Sequence, residues 1–367
     1  MAIYLDYNAT CPIKPQVISK MVDVMEQVGN PSSQHSFGRD ARTFVEVGRE
    51  AIAERLGVAP SSVVFTGCGT EADNLALNQT PIDTAYVSAV EHPALLGLVP
   101  ASQTLKIHPN GLVDFDALTT MLNAKPPGLL SVQMVNSETG VIQPIAEIST
   151  LAKKYGWLVH TDAVQALGKQ DFSFAHTGVD LMTISAHKIG GPQGVAALIT
   201  RSGFDTKPML QGGGQERNRR SGTENVAGIA GFGEAVKLLD EDLNRQQRLE
   251  HLRDAFESEI VNSGIDVKIV GRGSPRVANT SCILMPQVKA ATQLMNFDLQ
   301  GFAVSAGSAC SSGKSKASGV LTAMGISEDA AGTALRASIG WDTKTDDLSK
   351  FAEAWIKLAL KKVSQSV

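Results

Sequence analysis

The sequence has few cysteines, no long apolar run and no paired metal-ligand motif. The cysteines are Cys11, Cys68, Cys282 and Cys310, and no two of them form a CxxC pair, which argues against a structural zinc site. No stretch approaches the roughly 18 apolar residues that a membrane span requires. Residues 1–7 lack the basic and apolar regions of a secretory signal. We therefore expect a cytoplasmic protein with reduced thiols, no metal site and no membrane contact.

Clusters of basic residues are also scarce. The net charge is −4, and the densest basic group is the short set Arg217, Arg219 and Arg220 beside glycines. A nucleic-acid-binding protein usually carries a basic face, so no nucleic-acid partner is expected. With 43% apolar and 19% charged residues, the chain has an ordinary globular composition. Its 367 residues are too many for one simple core and favour two domains.

Short apolar runs alternate with helical patterns through the first two thirds of the chain. The predicted strands are 63–66, 85–89, 129–135, 157–161, 181–185 and 195–199. The predicted helices among them are 71–78, 145–154 and 164–167. This alternation is typical of an α/β domain with a largely parallel sheet, to which we assign residues 16–240.

The remainder of the chain has a different pattern. It predicts a long charged helix over 235–263, strands at 266–270 and 280–285, and a C-terminal helix. In that last helix Phe351, Trp355 and Leu358 fall on one face. We assign residues 1–15 and 241–367 to a smaller α+β domain.

Polar side chains follow the ends of several predicted strands. Because the carboxyl ends of parallel strands meet at one edge of a sheet, these side chains should converge where α/β proteins bind ligands. They are Lys188, Asp162, Gln165, Asn136, His92 and Thr70. Together they provide an amine, a carboxylate, amides, an imidazole and a glycine-rich turn before a helix that suits a phosphate. A pyridoxal 5'-phosphate (PLP) enzyme needs this set of groups.

At these motifs the chain resembles the cysteine desulfurases, a branch of the class-V aminotransferases among the fold-type I PLP enzymes. The resemblance extends almost end to end, and its short cysteine loop is similar to that of the group I branch. Its motifs include Asn136-Ser-Glu-Thr-Gly, His160-Thr-Asp-Ala-Val-Gln, Ser185-Ala-His-Lys, Arg220-Ser-Gly-Thr-Glu-Asn and Gly307-Ser-Ala-Cys. The resemblance implies a mostly parallel seven-stranded sheet in the large domain, a small domain with the cysteine loop, and a homodimer.

The resemblance also implies how the cofactor is held. Lys188 would carry PLP and later move protons, Asp162 would pair with the ring nitrogen, and Gln165 would bond the ring oxygen. His92 would stack on the ring and take part in proton transfer. The residues expected to hold the phosphate are Thr70, Ser185 and His187, together with Thr223 contributed by a second subunit.

Substrate and sulfur chemistry are assigned in the same way. Asn136 and Arg336 would bind the substrate carboxylate, with Asn8 nearby. Cys310 lies among serines and glycines, which predicts an exposed loop, and Lys314 and Lys316 would favour its thiolate. The resemblance implies that L-cysteine is converted to L-alanine while Cys310 holds the sulfur as a persulfide. The acceptor would be another protein, such as an iron–sulfur scaffold or a tRNA-thiolation carrier.

Three other functions remain open at this stage. Residues 67–72 fit a GxGxxA dinucleotide fingerprint, but that reading leaves Lys188, Asp162 and Cys310 without a role. A selenocysteine lyase or another PLP-dependent aminotransferase-like enzyme would share the cofactor site. A non-enzymatic binding protein would have no need of the intact set of site residues.

Overall fold

Strands and helices alternate in the computed structural model, which describes residues 2–307 and 317–363. The strands are β1 Ile3–Tyr4, β2 Val63–Thr66, β3 Ala85–Ser88, β4 Thr104–Leu105, β5 Leu129–Ser131, β6 Leu158–Asp162, β7 Leu181–Ser185, β8 Ala196–Thr200, β9 Lys268–Ile269, β10 Thr280–Leu284, β11 Phe302–Ala303, β12 Ser305–Ala306 and β13 Ala334–Ser338. The helices are α1 Pro15–Met25, α2 Ser36–Leu56, α3 Gly69–Leu77, α4 Pro93–Leu96, α5 Phe115–Ala124, α6 Ile145–Lys154, α7 Phe174–Thr177, α8 Val226–Lys237, α9 Leu239–Asn244, α10 Gln246–Val261, α11 Ala290–Leu299, α12 Gly319–Ala323, α13 Glu328–Ala331 and α14 Thr345–Val363.

A seven-stranded sheet with the order β2-β8-β7-β6-β5-β3-β4 forms the centre of the fold. Strands β4, β3, β5, β6 and β7 pair in parallel. Strand β8 is antiparallel to both β7 and β2, so β2 runs in the same direction as β7. The carboxyl ends of all the strands except β8 therefore lie at one edge. The predicted α/β fold with a mostly parallel seven-stranded sheet is confirmed, and the strand that the sequence pattern missed is the two-residue β4.

Apolar side chains cover both faces of this sheet. Every residue of β7 and β8 is buried, as expected for strands with helices on either side. Trp157, fully buried just before β6, meets Tyr86 of β3 edge to face at 5.6 Å between ring centroids. This rigid layer holds the strand ends, and the residues that follow them, in fixed positions.

A four-stranded antiparallel sheet with the order β12-β13-β10-β9 forms a second layer with its own core. Phe351 of α14 packs against Phe256, Phe297 and Phe302 at 5.1 to 5.6 Å between ring centroids. Trp355 is buried in the same core, as the helical spacing predicts. Strand β1 pairs with β11, which brings the amino-terminal segment to this layer. The division into residues 16–240 and the rest stays a prediction.

Three predicted elements differ from the structure. Strand β5 ends at Ser131, although Val132 and Met134 still donate backbone hydrogen bonds to the β6 segment. Residues 164–167 form consecutive turns that end at Gly168, whose φ of +76° favours glycine. The long helix predicted over 235–263 is broken into α8, α9 and α10, because Leu239 belongs to the first core and Leu249 to the second. The chain must turn between the two cores, which periodicity alone does not reveal.

Candidate active site

A cavity of about 350 Å³ lies at the carboxyl edge of the large sheet. Its volume falls in the usual range for small-molecule sites. Among the residues predicted from the sequence, those that line it are Asn8, Thr70, His92, Asp162, Gln165, Ser185, His187, Lys188 and Arg336. Residues that are far apart in the chain therefore converge because their strands end together.

One end of the cavity is suited to an anion. Helix α3 begins at Gly69, directly after β2 and its short loop, so its unpaired backbone N–H groups and its dipole favour negative charge there. The Ser185 hydroxyl at the end of β7 is buried and has no hydrogen-bond partner among the described residues. Burial, aided by Lys188, lowers the pKa of His187 to about 4, so its ring is neutral at pH 7. A phosphate group fits this end because it would satisfy the unpaired hydroxyl.

Two buried carboxyl groups lie deeper in the cavity. Asp162 ends β6 and accepts a 2.8 Å hydrogen bond from the Val164 backbone N–H. Asp73 of α3 has one oxygen without a hydrogen-bond partner in the described part of the chain. Burial raises the pKa of both groups, and Asp162 raises that of Asp73 further. A protonated ring nitrogen suits this region, because these carboxyl groups lack hydrogen-bond donors and positive charges nearby and the ring nitrogen would supply both.

Lys188 enters the cavity from the 3-10 turn Ala186–Lys188 that follows β7. Its Nζ donates to the backbone oxygens of Asn8 at 2.6 Å and Ala9 at 2.8 Å. His92 caps α4, where its Nδ1 accepts a hydrogen bond from the Ala94 N–H at 3.1 Å. Burial lowers the pKa of His92 in spite of the opposing effect of Asp162. A neutral imidazole can accept a proton, so the cavity holds an amine and a base.

Arg336 of β13 provides the cationic side of the cavity. One Nη donates to Asp6 at 2.6 Å and the other to the Ser137 backbone oxygen at 3.0 Å. The buried Nε has no hydrogen-bond partner among the described residues. A guanidinium with an unused donor can bind a carboxylate of a small substrate.

Two predicted site residues, Asn136 and Thr223, do not line the cavity. The Asn136 amide oxygen accepts from the Glu138 and Thr139 N–H groups of its own turn, and its Nδ2 donates to the Val90 backbone oxygen at 3.2 Å. Thr223 is exposed and lines a separate cavity near Arg220. Cys310 lies outside the described residues. The role of each therefore stays a prediction.

The sequence patterns missed three buried ionisable residues near this site. Asp73 lies one helical turn after Thr70, a spacing that places both on one face of α3. Burial raises the pKa of Glu91, which follows β3, to about 8. Lys169 lies four residues after Gln165 and bonds to it. The helical spacing would have signalled Asp73, but the Lys169 contact depends on two consecutive turns that the pattern did not predict.

Residues 2–307 and 317–363, which the structure describes, contain no group of three or more His, Cys, Asp and Glu side chains placed to hold a metal ion. No described helix combines the length and the apolar character that crossing a membrane requires.

Comparison with known proteins assigns the chain first to a broad class and then to a branch of it. The model of the class-V aminotransferase family matches residues 3–351. A cysteine desulfurase, IscS, of Dictyoglomus turgidum is 39% identical over 362 residues, covering 95% of this chain and 92% of the relative. The chain therefore belongs to the class-V aminotransferase family and, within it, to the cysteine desulfurases.

Solved structures support the same assignment. A NifS-like protein from Rickettsia africae has a TM-score of 0.90 at 37% identity, with 97% of this chain and 99% of that chain covered. A structure described as SspA in complex with cysteine has a TM-score of 0.76 at 27% identity, with coverages of 92% and 98%. The cysteine desulfurase prediction from the sequence is confirmed, and the selenocysteine lyase and dinucleotide alternatives are not favoured.

Proposed function

We propose that the chain is a PLP-dependent cysteine desulfurase that converts L-cysteine to L-alanine and holds the released sulfur as a persulfide on Cys310. The observation that carries the proposal is the convergence of Lys188, Asp162 and the unpaired Ser185 hydroxyl in one cavity. An amine, a buried acid and an anion site at these positions match the reactive groups of PLP.

The cofactor would be held at both ends and along its ring. Lys188 would bind it covalently, and Asp162 would pair with its ring nitrogen. Gln165 would bond the ring oxygen, and His92 would stack on the ring. The groups proposed for the phosphate are Thr70, Ser185 and His187, with Thr223 from a second subunit. The exposed position of Thr223 supports a homodimer in which each copy completes the other's phosphate site.

The remaining steps follow from the chemistry of the chain's own side chains. When bound, the cofactor withdraws electrons from the substrate α-carbon. Arg336, with Asn136 and Asn8, would bind the substrate carboxylate, while Lys188 and neutral His92 would move protons. The Cys310 thiolate would attack the substrate sulfur, so that the carbon–sulfur bond breaks, alanine leaves and the sulfur stays on Cys310.

We further propose that Cys310 delivers its sulfur to an acceptor protein for iron–sulfur cluster assembly or tRNA thiolation. The resemblance of the short cysteine loop to the group I branch supports this role. Two of the described cysteines, Cys11 and Cys282, are poorly suited to this role. Burial raises the pKa of Cys11 to about 12 and raises that of buried Cys282 as well, so both are protonated at neutral pH.

The test is to incubate the purified holoprotein with L-cysteine and a thiol reductant and to measure sulfide and alanine. Wild type should form both in equal amounts. The Cys310→Ala variant should form neither, while its visible absorption still changes when cysteine is added. Cys11→Ser is the control and should keep wild-type turnover. Full activity of Cys310→Ala, or formation of pyruvate by wild type, would contradict the proposed mechanism.

A further inference from the structure

Lys169 is a second lysine beside the active site, and its position is unusual for a lysine. It lies in the turn after Gly168 and lines a cavity between the two cores, next to Lys188, Cys11 and Trp341. The partly exposed surface of Lys169 faces this cavity. No carboxylate forms an ion pair with Lys169 among the described residues. Lysines this deep in a protein are rare without a carboxylate partner. The position of Lys169 is therefore not explained by a structural ion pair.

The contacts of Lys169 are two side-chain amides of the active site. Its Nζ donates to Gln165 Oε1 at 2.5 Å and to Asn8 Oδ1 at 2.8 Å. The amine has an N–H for each of these two contacts in both its charged and its neutral form, so both amides turn their oxygen atoms toward it. Each amide is thereby fixed in one of its two possible orientations, with its N–H groups pointing elsewhere.

The consequence for Gln165 is a defined direction of its N–H group. Gln165 Nε2 donates to the Asn8 backbone oxygen at 2.9 Å. The same oxygen accepts from Lys188 Nζ at 2.6 Å. Gln165 also lines the 350 Å³ cavity, and its second N–H makes no hydrogen bond with the described residues, so it can serve a ligand there. A flipped amide would instead present an oxygen to that cavity and repel the ring oxygen of the cofactor.

Asn8 is fixed by a parallel set of bonds. Its Oδ1 also accepts from Asn279 at 3.1 Å, and its Nδ2 donates to Thr280 Oγ1 at 2.9 Å. Asn8 therefore connects Lys169 and Gln165 to β10 of the second sheet. The backbone carbonyl that holds Lys188 belongs to this residue, so its position depends on the same network.

We propose that Lys169 is a positioning residue that orients Gln165 toward the cofactor ring oxygen and fixes Asn8 against Lys188. This proposal rests on the proposed function, since it takes PLP as the group in the cavity. Burial and the nearby Lys188 lower the pKa of Lys169 to about 7. Placing a charged amine at this position lowers the stability of the fold, which indicates that its contacts with the site have a function.

A double-mutant cycle on cofactor affinity tests the proposal without relying on turnover. Lys169→Met, Gln165→Leu and the double variant are prepared as apoprotein, and PLP is titrated by its absorption and by protein fluorescence. Lys169→Met should weaken binding about tenfold in the wild-type background and only about threefold in the Gln165→Leu background, where the contact with Asn8 alone is left. Lys153→Met, at a half-exposed lysine of α6, is the control and should leave the affinity unchanged.

Lys169→Arg provides a second variant that keeps a donor-only cation, and the adjacent cavity leaves room for its guanidinium. It should restore binding to within about threefold of wild type, and thermal unfolding of each apoprotein checks that it folds. Equal losses for Lys169→Met in both backgrounds, or no loss in either, would overturn the proposal. Failure of wild-type apoprotein to bind PLP would instead overturn the proposed function on which it rests.

Discussion

The buried pair of Arg49 and Glu216 offers a quantitative test of how the fold supports the site. Their side chains are 3% and 2% exposed and meet through two contacts of 2.6 and 2.9 Å. Glu216 Oε2 also accepts the Phe65 N–H at 2.9 Å, and the guanidinium lies 4.8 Å from the Phe65 ring centroid. The pair thus joins α2 and β2 to the segment that carries Thr223.

This segment needs such an anchor because its backbone is strained. Glu216, Arg217 and Asn218 have φ values of 50°, 59° and 64°, in the left-handed region that favours glycine. Each such residue costs on the order of 1 kcal/mol, so the turn persists only where other contacts hold it. The Glu216 carboxylate ties this turn to the sheet, together with the Arg219 guanidinium, which donates to the backbone oxygens of Ser61 and Val63.

Replacement of Glu216 by Gln keeps the shape of the side chain but leaves the buried guanidinium with only the partly exposed Glu46, at 3.0 Å from Nε, as counter-charge. Breaking one partner of such a pair costs about 3–5 kcal/mol, whereas removing both partners is often close to neutral. We therefore expect Glu216→Gln to lower the melting temperature of the apoprotein by roughly 5 °C, since unfolding 367 residues carries a large entropy. The double variant Arg49→Met/Glu216→Leu should recover most of that loss.

Thermal and urea unfolding of the apoproteins, followed by circular dichroism, would measure these differences. Asp329→Asn is a matched acid-to-amide control, because Asp329 pairs with Lys289 at the surface and both side chains are more than half exposed. It should show no measurable change. If Glu216→Gln were as stable as this control, or the double variant less stable than the single one, the inference that the buried pair anchors the turn would be wrong.

Two further predictions concern single side chains of the site and its surroundings. Ser185→Ala should leave the stability of the apoprotein unchanged, since its hydroxyl has no described partner, but should weaken PLP binding about tenfold in a titration. Burial lowers the pKa of His160 from 6.5 to about 3. As the pH decreases below 6.5, the unfolded state therefore takes up a proton that the folded state does not, and the stability decreases as the pH decreases from 6.5 to 3. Between pH 7.5 and 5.5 this loss of stability is on the order of 1 kcal/mol. In urea unfolding at these two pH values His160→Gln should lack it, and equal pH dependence of the two proteins would refute the assignment.

The strand ends were the part of the site that the sequence could predict. Apolar runs fix where β2, β6 and β7 lie, and the residues after them share an edge because the strands share a direction. The placement of Asp162, Ser185 and Lys188 follows from this rule alone. The antiparallel strand β8 does not change this rule for β2. Because β8 is antiparallel to both β7 and β2, these two strands run in the same direction.

The remaining features depend on tertiary contacts that no periodicity encodes. Arg336 was expected to bind the substrate carboxylate, and the structure shows that it also pairs with Asp6 from the amino-terminal segment. The Asn136 amide is used by its own turn and by the Val90 backbone oxygen, which a motif match does not reveal. Lys169 was missed because its partners, Gln165 and Asn8, meet only after the amino-terminal segment folds against the large sheet.

The electrostatics of the cavity explain why these contacts matter together. Burial raises the pKa values of the carboxyl groups of Asp73 and the partly exposed Asp162, and it lowers that of the partly exposed amine of Lys169. Each shift records a charge that the protein alone does not satisfy. A ligand with a protonated ring nitrogen, a phosphate and a reactive carbonyl would compensate the acids, the Ser185 hydroxyl and Lys188 at once. Folding stability is therefore lower without the ligand, and PLP should raise the melting temperature of wild type more than that of Asp162→Asn.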